Sequence, residues 1–242
     1  MRTFMRGALL ALFLGAGAVQ QAQGQVLIGL LFGDKVSSDR FHLEFNIGGN
    51  FADLSGIEGT NLKPGFTLGL GGEWRFAGDF MLQPELVPFY FTGAKNLPTD
   101  AFDVPPDLEA LVSDVSAERR TGYFAIPVLV KYGALGRQLH IGAGPQIGFL
   151  TSGTDKIQGT INRDITVEED IEDRLNSTDA GIVFNLSYKL QPSFGTGINV
   201  RYYLGLTDTI KDNPGDAVYN RVLSVFVSVA IGEDPSEKED EE

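Results

Sequence analysis

Apolar residues recur at every second position over stretches of roughly ten residues throughout most of this chain, the period of a strand with two unlike faces. In 66–76, FTLGLGGEWRF, Phe66, Leu68, Leu70, Trp74 and Phe76 alternate with Thr67, Gly69, Gly71, Glu73 and Arg75. In 196–207, TGINVRYYLGLT, Ile198, Val200, Tyr202, Leu204 and Leu206 oppose Gly197, Asn199, Arg201, Tyr203, Gly205 and Thr207. Stretch 139–150 sets Leu139, Ile141, Ala143, Ile147 and Phe149 against His140, Gly142, Gly144, Gln146 and Gly148. Beyond the first 24 residues no apolar run reaches the length of a membrane helix. A chain of this kind crosses a bilayer only as strands closed into a barrel, because an open sheet edge would leave backbone groups unpaired in hydrocarbon.

The alternation predicts strands over 41–51, 64–76, 79–92, 121–133, 138–150, 180–190, 195–207 and 220–231, each long enough to span a membrane at a tilt. The connections between them alternate in length. Those at 77–78, 134–137 and 191–194 are tight, whereas 52–63, 93–120, 151–179 and 208–219 are longer. The fold class expected is all-β: a closed antiparallel up-and-down transmembrane β-barrel of about eight strands, with long extracellular loops and short periplasmic turns. Trp74, Phe76, Phe80, Tyr132 and Tyr188 fall near the short-turn ends, and Phe89, Tyr90, Phe91, Tyr123, Phe124 and Phe149 near the long-loop ends. They are read as two aromatic belts at the two interfaces.

The N-terminus supplies the route to that membrane. Arg2 and Arg6 precede a short apolar run from Gly7 to Val19, and Ala22-Gln23-Gly24 has the small residues of a signal-peptidase site. Residues 1–24 are therefore expected to be a signal peptide, 25–40 a pre-barrel segment that does not span, 41–232 the barrel domain and 233–242 an acidic disordered tail. Losing Arg2 and Arg6 leaves 17 Lys and Arg against 32 Asp and Glu, a net charge near −15 that argues against nucleic acid as a partner. The chain has no cysteine, so disulfides and thiolate chemistry are excluded.

With the charged face turned inward, Glu44, Glu73, Glu85, Lys131, Lys189 and Arg201 enter the lumen with His42, Asn46, Gln83, His140, Gln146 and Asn199. Eight strands enclose a space that side chains just fill, so these groups are expected to pair in a structural network rather than line a wide channel. No catalytic, cofactor or metal site is expected. The two histidines are far apart in sequence with no His-x-x-x-His spacing, and both fall near the periplasmic end, away from the rim where a Ser-His-Asp relay would act. The GAGPQIG run lacks the helix-opening pattern of a phosphate loop.

The long loops hold the other candidates. PPDLEALVSDVSAERR within 93–120 predicts a short helix from its proline start, acidic first turn and basic end. Glu168, Glu169, Asp170, Glu172 and Asp173 in 151–179 form an acidic cluster, a surface for divalent cations or a partner, although it lacks the ligand order of a dedicated calcium loop.

FNIGGNFADLSG (45–56), LQPELVPFYFTGAK (82–95), AIPVLVKY (125–132), GAGPQIGFL (142–150) and RYYLGLTD (201–208) occur in that order. Together they resemble the PorT-like outer-membrane β-barrel family over nearly the whole mature chain. That resemblance implies a bacterial outer-membrane barrel with an envelope role, one branch of the family being associated with secretion and gliding. The last strand departs from outer-membrane practice, since RVLSVFVSVAIGE lacks a closing aromatic residue. Expected partners are outer-membrane lipid, the barrel assembly machinery and envelope proteins meeting the long loops. Two alternatives are compatible with the same alternation: a porin-like channel for small solutes, and a soluble lipocalin-like barrel with the apolar face inside.

Overall fold

A computed structural model describes residues 40–98, 113–135, 138–160, 164–190, 196–213 and 215–231. The expected signal peptide, the pre-barrel segment apart from Arg40, and the acidic tail lie outside these residues.

The described residues form strands β1 Phe41–Ser55, β2 Lys63–Ala77, β3 Phe80–Lys95, β4 Ser113–Ala134, β5 Leu139–Thr160, β6 Asp164–Asp170, β7 Thr178–Lys189, β8 Gly197–Gly205 and β9 Tyr219–Ile231. The hydrogen-bonded order β4-β3-β2-β1-β9-β8-β7-β5 is closed by pairing of β4 with β5. Eight strands thus form a continuous antiparallel ring. β6 stands outside the ring and pairs with the upper part of β5, from Thr154↔Asp170 to Thr160↔Asp164.

Side chains alternate across this wall as the period requires. Along β8, Gly197, Asn199, Arg201, Tyr203 and Gly205 are buried, whereas Ile198, Val200 and Tyr202 are exposed. The outer surface carries Leu70, Leu86, Val130, Ile141, Phe184, Leu186 and Val225, and the charged residues interleaved with them along the strands, Glu44, Glu73, Glu85, Lys131, Lys189 and Arg201, are buried inside. This polarity suits lipid outside and is the reverse of a lipocalin's. At the short-turn end Trp74, Phe76, Phe80 and Tyr132 form a chain of outward rings with centroids 6.4, 6.4 and 5.1 Å apart. Gly78 makes the turn between β2 and β3 with φ +54°, a conformation that suits glycine.

Three sequence expectations are corrected here. Residues 113–120, the second half of the stretch expected to be helical, are the start of β4; residues 99–112 lie outside the described residues. Pairing with β5 overrides the local capping signal, because Glu118↔Lys156 and Arg119↔Asp155 continue the ladder above the apolar band. Loop 151–179 contains β6 and a single 3-10 turn, Glu172–Arg174. Tyr90 and Tyr123, read as members of an aromatic belt, point inward and are only 5% and 1% exposed. For Tyr90 the reason is a β-bulge between Val87 and Tyr90, which shifts the facing of the strand by one residue. Tyr123 needs no bulge, since it shares the parity of Lys131.

Candidate functional site

The lumen is the candidate site, and it is stacked in layers. At the short-turn end β1, β2, β4 and β7 bring Glu44, Glu73, Lys131 and Lys189 together. Glu73 Oε1 accepts from Lys189 Nζ at 2.6 Å and its Oε2 from Lys131 Nζ at 3.1 Å. Glu44 lies 3.5 Å from Lys189 Nζ, 3.1 Å from His42 Nε2, and accepts from Gln83 Nε2 at 3.2 Å. His140 is buried in the same half of the barrel.

One layer further up, Arg201 on β8 reaches Glu85 on β3 through two bonds of 2.7 and 2.6 Å. Its Nε donates to Asn185 Oδ1 at 3.1 Å, and Phe226 lies under the guanidinium at 4.8 Å. Asn185, Ser187, Asn199 and Ser228 continue the hydrogen-bond chain along β7, β8 and β9. Above them Tyr90 and Tyr203 meet edge-on at 6.2 Å within a core that includes Tyr123, Leu129, Val183 and Val222. Asp179 accepts from Asn220 Nδ2 at 2.9 Å and Thr207 Oγ1 at 3.0 Å beside this core.

Toward the long loops Arg119 and Asp155 form a buried bidentate pair at 2.8 and 2.7 Å. Leu54, Ala94, Leu97, Ala117 and Val218 pack together near the mouth, with Ile57, Ile157 and Ile210 against them. The cavity beside Arg201 and Glu85, lined also by Asn46, Tyr90 and Gln146, offers about 10 Å³ open to water, room for one molecule at most.

All six charged residues singled out from the sequence are therefore buried, and they lie in two adjacent clusters. The loop acids behave differently. Glu168 is exposed 3.7 Å from Lys156, Glu169 pairs with Arg174, and Glu172 and Asp173 open the 3-10 turn on the surface. Asp170 Oδ1 accepts from the Glu172 N–H at 3.0 Å, which leaves that carboxylate committed to the turn. Sequence reading missed Arg119, Asp155 and Asp179, which lay in segments read as loops; Arg119 and Asp179 keep the inward parity of their strands, whereas a register shift opposite Gly122 and Tyr123 turns Asp155 inward against the parity of His140 and Gln146.

Among the described residues, His42, Glu44 and Glu73 are the one group whose ligand atoms come within 4.8 Å of each other, as a metal ion would need. The ammonium of Lys189 already sits 2.6 Å from Glu73 and 3.5 Å from Glu44, so this donor set faces a fixed cation of the chain itself.

A closed ring of eight antiparallel strands, apolar outside and ionic within, defines a transmembrane β-barrel of the outer-membrane class. The chain belongs to the outer membrane protein beta-barrel domain family, which it matches over residues 21–211, and the protein is accordingly placed in the bacterial outer membrane. Among solved structures it is similar to Ail, the attachment invasion locus protein of Yersinia pestis, with 12% identity and a TM-score of 0.39 over 79% of this chain and 99% of that one. It is also similar to Neisserial surface protein A, with 13% identity and a TM-score of 0.37 over 79% and 97%. The outer membrane protein OprG of Pseudomonas aeruginosa follows with 10% identity and a TM-score of 0.35 over 80% and 97%. No curated protein matches the chain.

Proposed function

We propose that this protein is a non-conducting outer-membrane barrel of the PorT-like kind, whose envelope role, in partner binding or secretion, is exercised through its long loops. The observation that carries the reading is the pair of ionic contacts across the lumen, Arg201 with Glu85 and Lys189 with Glu73. A pore must leave water a continuous path, whereas these side chains bridge the interior with about 10 Å³ to spare beside Arg201. Catalysis is not part of the proposal. His42 bonds Glu44 deep in the short-turn half, and His140 is buried there too, away from the rim where a lipid or peptide substrate would arrive.

Planar-bilayer recording of the purified full chain tests the reading: the membrane is expected to stay electrically silent. Steady single-channel conductance, abolished in an Arg201→Ala or Glu85→Ala variant, would overturn it in favour of a small-solute channel. Cross-linking on intact envelopes, with and without the tip of loop 151–179, then tests for protein partners. Capture that is indifferent to the loop would defeat the assignment of binding to that surface.

A further inference from the structure

β2 and β3 pair from the short-turn end only as far as Thr67↔Tyr90. Above that point the two strands part, and they meet again at Asn61 and Lys95, whose backbones exchange two bonds of 2.9 Å. Between these closures lies a slit of about 310 Å³, lined by Lys63, Gly65, Phe66, Phe91, Thr92 and Arg120. The side chain of Asn50 reaches into the gap from β1 and donates to Phe91 O at 3.2 Å, partly replacing the missing ladder.

The slit is basic on one side and aromatic on the other. Arg120 is exposed, lies over the Phe91 ring at 4.4 Å, and forms no ion pair among the described residues. Lys63 is paired with Glu118 at 2.9 Å, and Glu118 also lies in the field of Lys95 and of Lys156, which has Glu168 at 3.7 Å, so four cations gather here around two carboxylates. Such a local excess of positive charge is unusual in a chain with a formal charge of −13. Phe66 is exposed on the outer surface, as are Phe51, Phe89 and Phe149 toward the same end of the barrel. Outward rings at that end mark the boundary between hydrocarbon and headgroups.

We propose that the slit is a seat for the phosphate-bearing headgroup of an outer-leaflet lipid, held chiefly by Arg120. A guanidinium fixed by stacking presents two parallel N–H donors to phosphate oxygens, and partial exclusion of water by the rings strengthens the contact. Lys63 supplies a second, nearby positive charge, while Thr92, whose hydroxyl is bonded to that of Thr121, closes the inner wall. A free inorganic anion would use the cations but not the rings. A lipid places its phosphate at the height of Arg120 and its acyl chains against Phe66 and the apolar band below, so the lipid is the occupant that matches both halves.

The test uses the full chain in vesicles of phosphatidylethanolamine containing bis-phosphorylated lipid A as the minor component, followed by detergent extraction and native mass spectrometry. One lipid A is expected to remain bound to the wild type. Dephosphorylated lipid A, or the Arg120→Gln variant with phosphorylated lipid A, should retain roughly tenfold less, the loss of one charge-assisted contact. Arg120 is on the surface, and heat-modifiable electrophoresis checks that the variant remains folded. Equal retention of the two lipids by the wild type, undiminished retention by Arg120→Gln, or displacement by excess inorganic phosphate would each overturn the proposal.

Discussion

Arg201 and Glu85 face each other from strands four places apart in either direction round the ring, and join across it through two bonds of 2.7 and 2.6 Å. Lys189 on β7 and Glu73 on β2 stand in the same diametric relation, at 2.6 Å. Both pairs act as struts holding opposite walls at a set distance. Charged groups this deep are tolerated only because each has its counterion and further hydrogen bonds.

Breaking one strut is expected to cost more than removing both ends. Arg201→Ala strands the Glu85 carboxylate and should destabilise the barrel by about 3–5 kcal/mol, whereas Arg201→Met with Glu85→Leu should recover most of that loss. Urea titration followed by heat-modifiable electrophoresis measures both. Additive losses in the double variant would show that the two residues are not energetically coupled.

Gly93 should be among the least replaceable glycines. Its φ is +114°, and a Cβ there would lie 2.1 Å from Arg119 O in the neighbouring strand. Gly93→Ala is expected to lose about 1–3 kcal/mol from the backbone conformation alone, with the clash in addition. Gly59, at φ +80° with nothing near its Cβ, provides the control, and Gly59→Ala should cost distinctly less in the same assay.

The β8–β9 connection should loosen in acid. Partial burial pushes the Asp208 carboxyl up, but the N–H groups of Ile210 and Val218, with the Asn213 amide, outweigh this and hold it below the ordinary carboxylate value. A lowered pKa in the folded state means that the stabilisation is fully present above the unfolded value, near 3.9, and is lost as pH falls through the lower folded one. Amide protection over 206–218, taken relative to intrinsic exchange at each pH, is therefore expected to be flat at neutral and mildly acidic pH and to fall below about pH 4. In Asp208→Asn the exchange should start faster and lose that acid dependence. An unchanged profile in the variant would remove Asp208 as the cause.

The fold was legible where one rule governs the whole chain. Glu73 and Lys131 carry inward parity within otherwise apolar stretches, and the turn at Gly78 is marked by its residue type. What escaped was the part of the barrel above the membrane. There the outward face no longer needs to be apolar, so Glu118 and Arg120 on β4 look like loop residues even though Arg119 between them is buried against Asp155. Tyr90 escaped for a different reason, because a bulge near Pro88 breaks the parity and nothing local announces its direction. The slit at Arg120 is a relation between strands that stop pairing, which a single strand's pattern does not contain.

The six charges of the two lumen clusters are also sorted along the chain. The acids Glu44, Glu73 and Glu85 belong to β1, β2 and β3, whereas Lys131, Lys189 and Arg201 come from β4, β7 and β8. An incomplete sheet of the first three strands would set these three acids on its concave side against a single buried lysine, Lys63 near the mouth, with only water to solvate the rest. Compensation for that charge arrives with the later strands and is complete only when the last seam shuts. Closure of the ring is thus electrostatically self-reinforcing, and half-built barrels are disfavoured by their own unbalanced interiors.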